Sequence, residues 1–283
     1  MNDKMKNLLV RAVSGIGLIV VVLGGIVWSQ WSFLAVLTLM LVGGMIEFYN
    51  LAARQGIKAQ RGLGLLAGLL LLMLGFGIVS DDVLAVLMAS GPLFLCGVAM
   101  LLLLLPLMFI CELYRKQENP AANIAATILG VIYVALPLTL LLYIPAIGVE
   151  GWNPWLVVAY IAIVWSNDVF AYLVGMSIGR HRLFERLSPK KSWEGFFGGV
   201  AGAVVAALLA AHWVGGSYAA WGGLAVVTAV TAVLGDLVES MFKRAADVKD
   251  SGAVIPGHGG VLDRFDALLL SAPFVFVYMI FVF

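Results

Sequence analysis

Residues 62–80 read GLGLLAGLLLLMLGFGIVS, a stretch with no charged side chain and a serine only at its end. A helix needs about 20 predominantly apolar residues to cross a bilayer core of about 30 Å, and this stretch has that length. Comparable segments fall at 8–28, 31–50, 83–111, 122–147, 154–178, 194–214, 217–239 and 266–283. Within hydrocarbon the backbone must satisfy its own hydrogen bonds, which helices do. The reading is therefore an all-α, polytopic integral membrane protein with about nine transmembrane helices. Composition agrees, because 63% hydrophobic residues, 12% charged residues and a mean hydropathy of +1.05 lie outside the range of soluble domains. Gly91-Pro92 and Pro106 predict a kinked or partly interfacial segment over 83–111. Gly62, Gly64, Gly68, Gly75 and Gly77, with the small-residue run from Ala201 to Ala211, mark close helix packing.

The basic residues give an independent test, since Lys and Arg collect on alternate connections only when the spans are counted correctly. Arg54, Lys58 and Arg61 follow the second span, and Arg115 and Lys116 the fourth. Arg180, Arg182, Arg186, Lys190 and Lys191 follow the sixth, and Lys243, Arg244, Lys249 and Arg264 the eighth. Lys4, Lys6 and Arg11 complete the 17 in the chain. The intervening connections carry none and instead gather Trp28, Trp31, Trp152, Trp155, Trp213 and Trp221, the composition of an interfacial belt. This pattern puts the N-terminus in the cytoplasm and the C-terminus outside.

The basic start before an apolar run resembles a signal peptide but lacks a small-residue cleavage site, so a retained first helix is expected. Cys96 and Cys111 have no metal or disulfide spacing and read as buried apolar side chains. No connection exceeds about 28 residues, too short to bury a core of its own. The chain divides into residues 1–150, with about five helices, and residues 151–283, whose cytoplasmic connections carry the chemistry. No internal repeat of the transporter kind is present.

Near the end of the eighth span, Gly235-Asp236-Leu237-Val238-Glu239-Ser240 places Asp236, Glu239 and Ser240 on one face. Carboxylates at that depth are costly unless paired or metal-bound. The loop that follows contains Lys243-Arg244, Lys249-Asp250-Ser251-Gly252 and Pro256-Gly257-His258-Gly259-Gly260, and it closes at Asp263-Arg264-Phe265-Asp266. Glycines let backbone approach a phosphate, and the start of the ninth span offers N–H groups to the same anion. Lys243, Arg244, Lys249 and Arg264 can neutralise phosphate charge. Asp236, Asp250, Asp263 and Asp266 are oxygen ligands of the type Mg²⁺ takes. His258 is open between a phosphate contact, a proton carrier and a turn residue; lacking a second His or Cys, it does not indicate zinc. In the sixth span Ser166-Asn167-Asp168 and Tyr172 form a polar patch, either a packing hydrogen bond or a site lining. The segment Ser188-Pro189-Lys190-Lys191-Ser192-Trp193-Glu194-Gly195 reads as a helix start with Ser188 as cap and Pro189 at the first position. Its charge suits an anionic headgroup or a nucleotide triphosphate.

The run Ser240-x-x-Lys243-Arg244-x4-Lys249-Asp250-x-Gly252-x3-Pro256-Gly257-His258-Gly259-Gly260-x2-Asp263-Arg264-x-Asp266 resembles the signature of the phosphatidate cytidylyltransferases, the CDP-diacylglycerol synthases. The Asn167-Asp168 patch, Lys190 to Gly195 and Gly235-Asp236 look like that family too, so the resemblance covers residues 165–266 in detail. It implies CTP and phosphatidic acid as substrates, CDP-diacylglycerol and pyrophosphate as products, a role in phospholipid biosynthesis, and Mg²⁺, with a second cation left open. By that similarity Asp236 and Asp263 are the metal ligands. The expected catalytic residues are Lys243, Arg244, Asp250, His258, Arg264 and Asp266. Substrate binding is expected from Asn167, Asp168, Lys190, Lys191, Ser192, Ser240, Lys249, Gly259 and Gly260. The expected setting is the inner (cytoplasmic) membrane, crossed several times, with no nucleic-acid partner and a homodimer compatible with the resemblance. Two rival readings are a CTP-dependent kinase of a polyprenol or phytol and an ion or lipid transporter.

Overall fold

The computed structural model describes residues 3–80, 83–84, 92–148, 151–254, 257 and 259–283, with side chains from residue 13 onward except that of residue 92. The helices are α1 (Asp3–Trp28), α2 (Gln30–Arg54), α3 (Arg61–Val79) and α4 (Pro92–Arg115). Next comes α5, made of Pro120–Gly130, a wider turn over Val131–Ala135 and Leu136–Tyr143. After it lie α6 (Trp155–Ile178), strands β1 (Arg182–Phe184) and β2 (Ser188–Ser192), α7 (Trp193–Val214), α8 (Tyr218–Ala245) and α9 (Leu262–Val282). Among the described residues, eight helices are long and apolar enough to cross a membrane, and Val13–Trp28 of α1 is a shorter apolar stretch. Of the expected segment 83–111, residues 83–84 are helical, 85–91 lie outside the described residues, and one helix runs on past Pro106 to Arg115. The side chains of Lys4, Lys6 and Arg11, and Pro256 and His258, also lie outside them.

Two compact units emerge: Met1–Tyr143 with Ala245–Arg264, and Ile144–Arg244 with Phe265–Phe283. In the first, Ser29 and Ser32 form a reciprocal capping box at the start of α2. Glycines of α3 admit side chains of its neighbours: Gly64 faces the Tyr49 ring, Gly68 faces Met45 and Ala135, and Gly75 faces Thr139. Gly62 has no such neighbour within 4 Å among the described residues. The wider turn in α5 sits just before Pro137, whose missing N–H and ring would clash with a regular helix. Polar contacts close the ends of α3, α4 and α5. Glu112, buried on α4, accepts from Asn123 Nδ2 (2.7 Å), Gln60 Nε2 (2.7 Å) and Arg115 Nη1 (2.6 Å).

In the second unit, small residues four apart on α7, Gly195, Gly199, Ala203, Ala207 and Ala211, are all buried. They let α6 approach until a Cβ at Gly199 would lie 2.6 Å from Asn167 Oδ1 and one at Gly195 would lie 2.8 Å from Ala171 O. Tyr160 of α6 lies in hydrogen-bond distance of Ser271 Oγ on α9 at 2.5 Å.

Several expectations need correction. The connection after α6 is a two-stranded antiparallel hairpin, with Arg182 opposite Ser192 and Phe184 opposite Ser188. Ser188 and Pro189 therefore lie in a strand, and the cap of α7 is Ser192, extended at φ −126° and accepting from Gly195 N at 3.1 Å. Trp221 is not in an interfacial belt. It is wholly buried, donating from Nε1 to Gly215 O at 2.8 Å with its ring edge-on to Phe283. Cys96 is exposed and Cys111 half-buried, because a helix surrounded by lipid has no need to turn every apolar side chain inward.

Glu112→Ala should lower the stability of the full chain by about 3 kcal/mol, since it strands three donors that converge on one buried carboxylate. Reversible denaturation in detergent measures this, and an unchanged unfolding midpoint would contradict the structural weight given to the network.

Candidate active site

Two helices of the second unit bring three acids together. Asp236 and Glu239 are three apart on α8, so they share a face, and Asp266 projects from α9. One carboxylate oxygen from each lies within 4.8 Å of the others. The helices can come this close because residue 235 is glycine: a Cβ there would stand 2.6 Å from Asp266 O and 3.0 Å from Ala267 Cα. Both obstacles are backbone, which cannot rotate away. Gly235 thus sets the spacing of the acids beside it.

Cations and hydroxyls complete the group. Lys191, delivered by β2, places Nζ 2.6 Å from Asp236 Oδ2. Lys243, one turn beyond Glu239, lies 2.5 Å from its Oε2. Ser240 Oγ donates to Asp236 Oδ1 at 3.3 Å. Asp168 of α6 is an electrostatic neighbour of Lys191, Asp236 and Asp266. Four carboxylates (Asp168, Asp236, Glu239, Asp266) and two ammonium groups (Lys191, Lys243) are thus named around one point. Asn167 is fully buried, contacts Asp168 only at 3.5 Å, and has an Oδ1 with no hydrogen-bond partner.

This donor set fits a hard divalent cation. Oxygens sharing one Mg²⁺ at about 2.1 Å stand about 3 to 4.2 Å apart, close to the separations the backbone already imposes. Asp236, Glu239 and Asp266 are the residues that could hold such an ion, and the two lysines are the groups that balance the acids in the structure described.

The other sequence-derived candidates in the glycine-rich loop belong to the first unit. Asp263 Oδ2 accepts from Ser251 N (2.9 Å), Ser251 Oγ (2.9 Å) and Gly260 N (2.8 Å). Glu47 of α2, 3% exposed, was not among the sequence candidates. It accepts from Ser251 Oγ (3.0 Å), Val261 N (2.9 Å) and Leu262 N (2.9 Å). Of the N–H groups leading into α9, those of Gly260, Val261 and Leu262 are thus taken by carboxylates of the chain itself, while Arg264 N donates to Val261 O. Glycine makes room for acids here: a Cβ at Gly252 or Gly260 would strike Glu47, and one at Gly259, at φ +84°, would reach Asp263 Oδ2 at 2.8 Å. Lys249, Asp250 and Arg264 are exposed, as are Lys190 and Arg244 in the second unit, while Ser192 is buried as the α7 cap. The signal for Glu47 was present as a solitary acid inside an apolar span, which demands a partner.

Replacing Gly235 with Ala should part α8 from α9 and weaken binding of Mn²⁺ to the purified chain about tenfold, without altering any ligand. Calorimetric titration reads this directly, and unchanged affinity would show that the helix spacing does not govern the cluster.

Comparison with known proteins bears on the chain as a whole. A model of the cytidylyltransferase family matches residues 9–282. A phosphatidate cytidylyltransferase of Rickettsia bellii is 35% identical over 210 residues, covering 71% of this chain and 86% of that protein. One of Haemophilus influenzae is 44% identical over 126 residues, covering 42% of this chain and 44% of that protein, and one of Brucella abortus is 43% identical over 124 residues, covering 43% and 46%. A match that runs from α1 to the end of α9, with a relative similar over most of both chains, is decisive: this chain belongs to the cytidylyltransferase family.

Proposed function

We infer that the chain is a phosphatidate cytidylyltransferase, which joins the cytidylyl group of CTP to phosphatidate to give CDP-diacylglycerol and pyrophosphate for phospholipid synthesis. The family match and the named relatives support the reaction. The observation that carries the site assignment is the convergence of Asp236, Glu239 and Asp266 beside Lys191 and Lys243.

In this reading a phosphate oxygen of phosphatidate forms the new bond to the α-phosphorus of CTP, and the bond from that phosphorus to the bridging oxygen of pyrophosphate breaks. A phosphomonoester loses its second proton near pH 6, at about that value, so the attacking group is already anionic at neutral pH. A protein nucleophile is unnecessary. The tasks left to the chain are to bring two polyanions together in line and to offset their charge. Asp236, Glu239 and Asp266 would hold Mg²⁺, which supplies charge neutralisation to phosphate oxygens when bound. Lys191 and Lys243 stand at the same acids and add fixed positive charge. Arg244, at the end of α8, supplies a further cation for the triphosphate. In the first unit Asp263 orders the loop that carries Lys249 and Asp250. Asn167 and Asp168 line the α6 side.

The alternation of basic connections supports nine spans with a cytoplasmic N-terminus and an external C-terminus, and the bacterial sources of the relatives support the inner membrane as the setting. CTP then meets the acids from the cytoplasm, and the lipid arrives from the same leaflet.

With CTP labelled at the α-phosphate, radioactivity should enter the lipid; with the γ label it should leave in pyrophosphate. A lipid carrying the γ label would identify a kinase instead. Asp236→Asn should retain the fold and lose about a hundredfold or more in kcat, and EDTA should abolish turnover of the unaltered chain. Full turnover in either case would remove the acids from the reaction.

A further inference from the structure

The hairpin between α6 and α7 builds a second feature, separate in its residues from the acid cluster. Arg180, His181, Arg182, Glu185 and Trp193 line an open cleft of about 750 Å³. It is held in shape by one carboxylate: Glu194, in the first turn of α7, accepts from Arg180 N at 3.0 Å, from His181 N at 3.2 Å, and pairs with His181 Nδ1 at 2.6 Å. Trp193 N donates to His181 O at 2.9 Å. The turn carrying both arginines is thus fixed to the helix that carries the tryptophan. The arginine side chains themselves are exposed.

Aromatic rings continue from one wall. Trp193, Phe196 and Phe197 contact one another with centroids 5.3 to 6.2 Å apart, and Trp193, Phe197 and Phe184 expose large parts of their surface. Exposed Trp and Phe at the end of a membrane-spanning helix are groups that settle at the headgroup level of a bilayer. Guanidinium groups at that depth bind phosphate oxygens bidentately. Glu194 is occupied by His181 and backbone N–H groups, so of the described lining residues only Glu185 stands as an acid against the exposed guanidinium groups of Arg180 and Arg182.

We propose that this cleft takes the phosphate headgroup of an anionic membrane lipid, Arg180 and Arg182 clasping the phosphate while Trp193 and Phe197 rest among the glycerol and upper acyl chains. The proposal builds on the cytidylyltransferase reading by giving phosphatidate a receiving site on the hairpin that also carries Lys191 to Asp236. The same guanidinium chemistry could meet the triphosphate of CTP, and the kinetics separate the two sources.

The test uses the full chain in mixed micelles, varying the mole fraction of dioleoyl phosphatidate and, separately, CTP. For R180Q/R182Q the lipid KM should rise about five- to tenfold while the CTP KM and kcat stay as in the unaltered chain. Arg186→Gln, on the same hairpin but outside the cleft lining, should leave all three unchanged. A rise in the CTP KM alone, an unchanged lipid KM, or an equal effect from Arg186→Gln would overturn the proposal. The last of these would reduce it to bulk attraction. A readout without turnover keeps it distinct from the reaction assignment. In EDTA and without CTP, dioctanoyl phosphatidate should raise the melting temperature of the unaltered chain more than that of R180Q/R182Q, with dioctanoyl phosphatidylcholine raising neither. An equal rise in both proteins would contradict the site, even if the enzyme made CDP-diacylglycerol as expected.

Discussion

A carboxylate removed from water must find positive charge or hydrogen-bond donors, because its desolvation costs several kcal/mol even after relaxation. Three groups of acids in this chain meet that demand in different ways. Glu112 gathers Asn123, Gln60 and Arg115 and becomes a clamp between helix ends. Glu47 and Asp263 gather backbone N–H groups and Ser251, ordering the glycine-rich loop. Asp236, Glu239 and Asp266 are met in part by Lys191 and Lys243, with Asp168 adding further negative charge. The first two groups are satisfied by the chain. The third brings three carboxylate oxygens within 4.8 Å of one another, and that closeness marks it as the place for a cation.

Glycine and alanine make these meetings possible. In lipid, helices gain little from apolar burial against one another, so close approach depends on small residues. The stripe from Gly195 to Ala211 draws α6 against α7, and Gly235 draws α8 against α9. Gly252 and Gly260 leave the space that the Glu47 carboxylate fills. Each glycine acts on chemistry at one remove, by setting how near an acid can come to its partner.

Much of this was legible from residue order alone. Long apolar runs and alternating basic connections marked the helices, and i, i+3 spacing put Asp236 and Glu239 on one face. The grouping of acids was less legible. Similarity paired Asp236 with Asp263; within the second unit the described cluster joins Asp236 to Asp266 and Glu239, and within the first unit Asp263 is hydrogen-bonded in the glycine-rich loop. Which acids a helix start brings next to those of another helix depends on helix packing, which sequence spacing does not state. The hairpin was hidden for a related reason. Ser188-Pro189 satisfies the pattern of a helix start, yet Ser192 satisfies it too, and strand pairing with Arg182–Phe184 selects the later serine. Trp221 was misplaced because a tryptophan near a span end has the same sequence signature whether it faces headgroups or a neighbouring ring.

The central claim is that the acids of α8 and α9 form a divalent-cation site in this chain. Electron paramagnetic resonance of Mn²⁺ titrated into the purified full-length protein tests it most directly. The account predicts saturable binding of Mn²⁺ to the unaltered chain and its loss in Asp266→Asn, with the variant otherwise folded. Equal Mn²⁺ affinity in the two proteins would place the ion elsewhere and contradict the account.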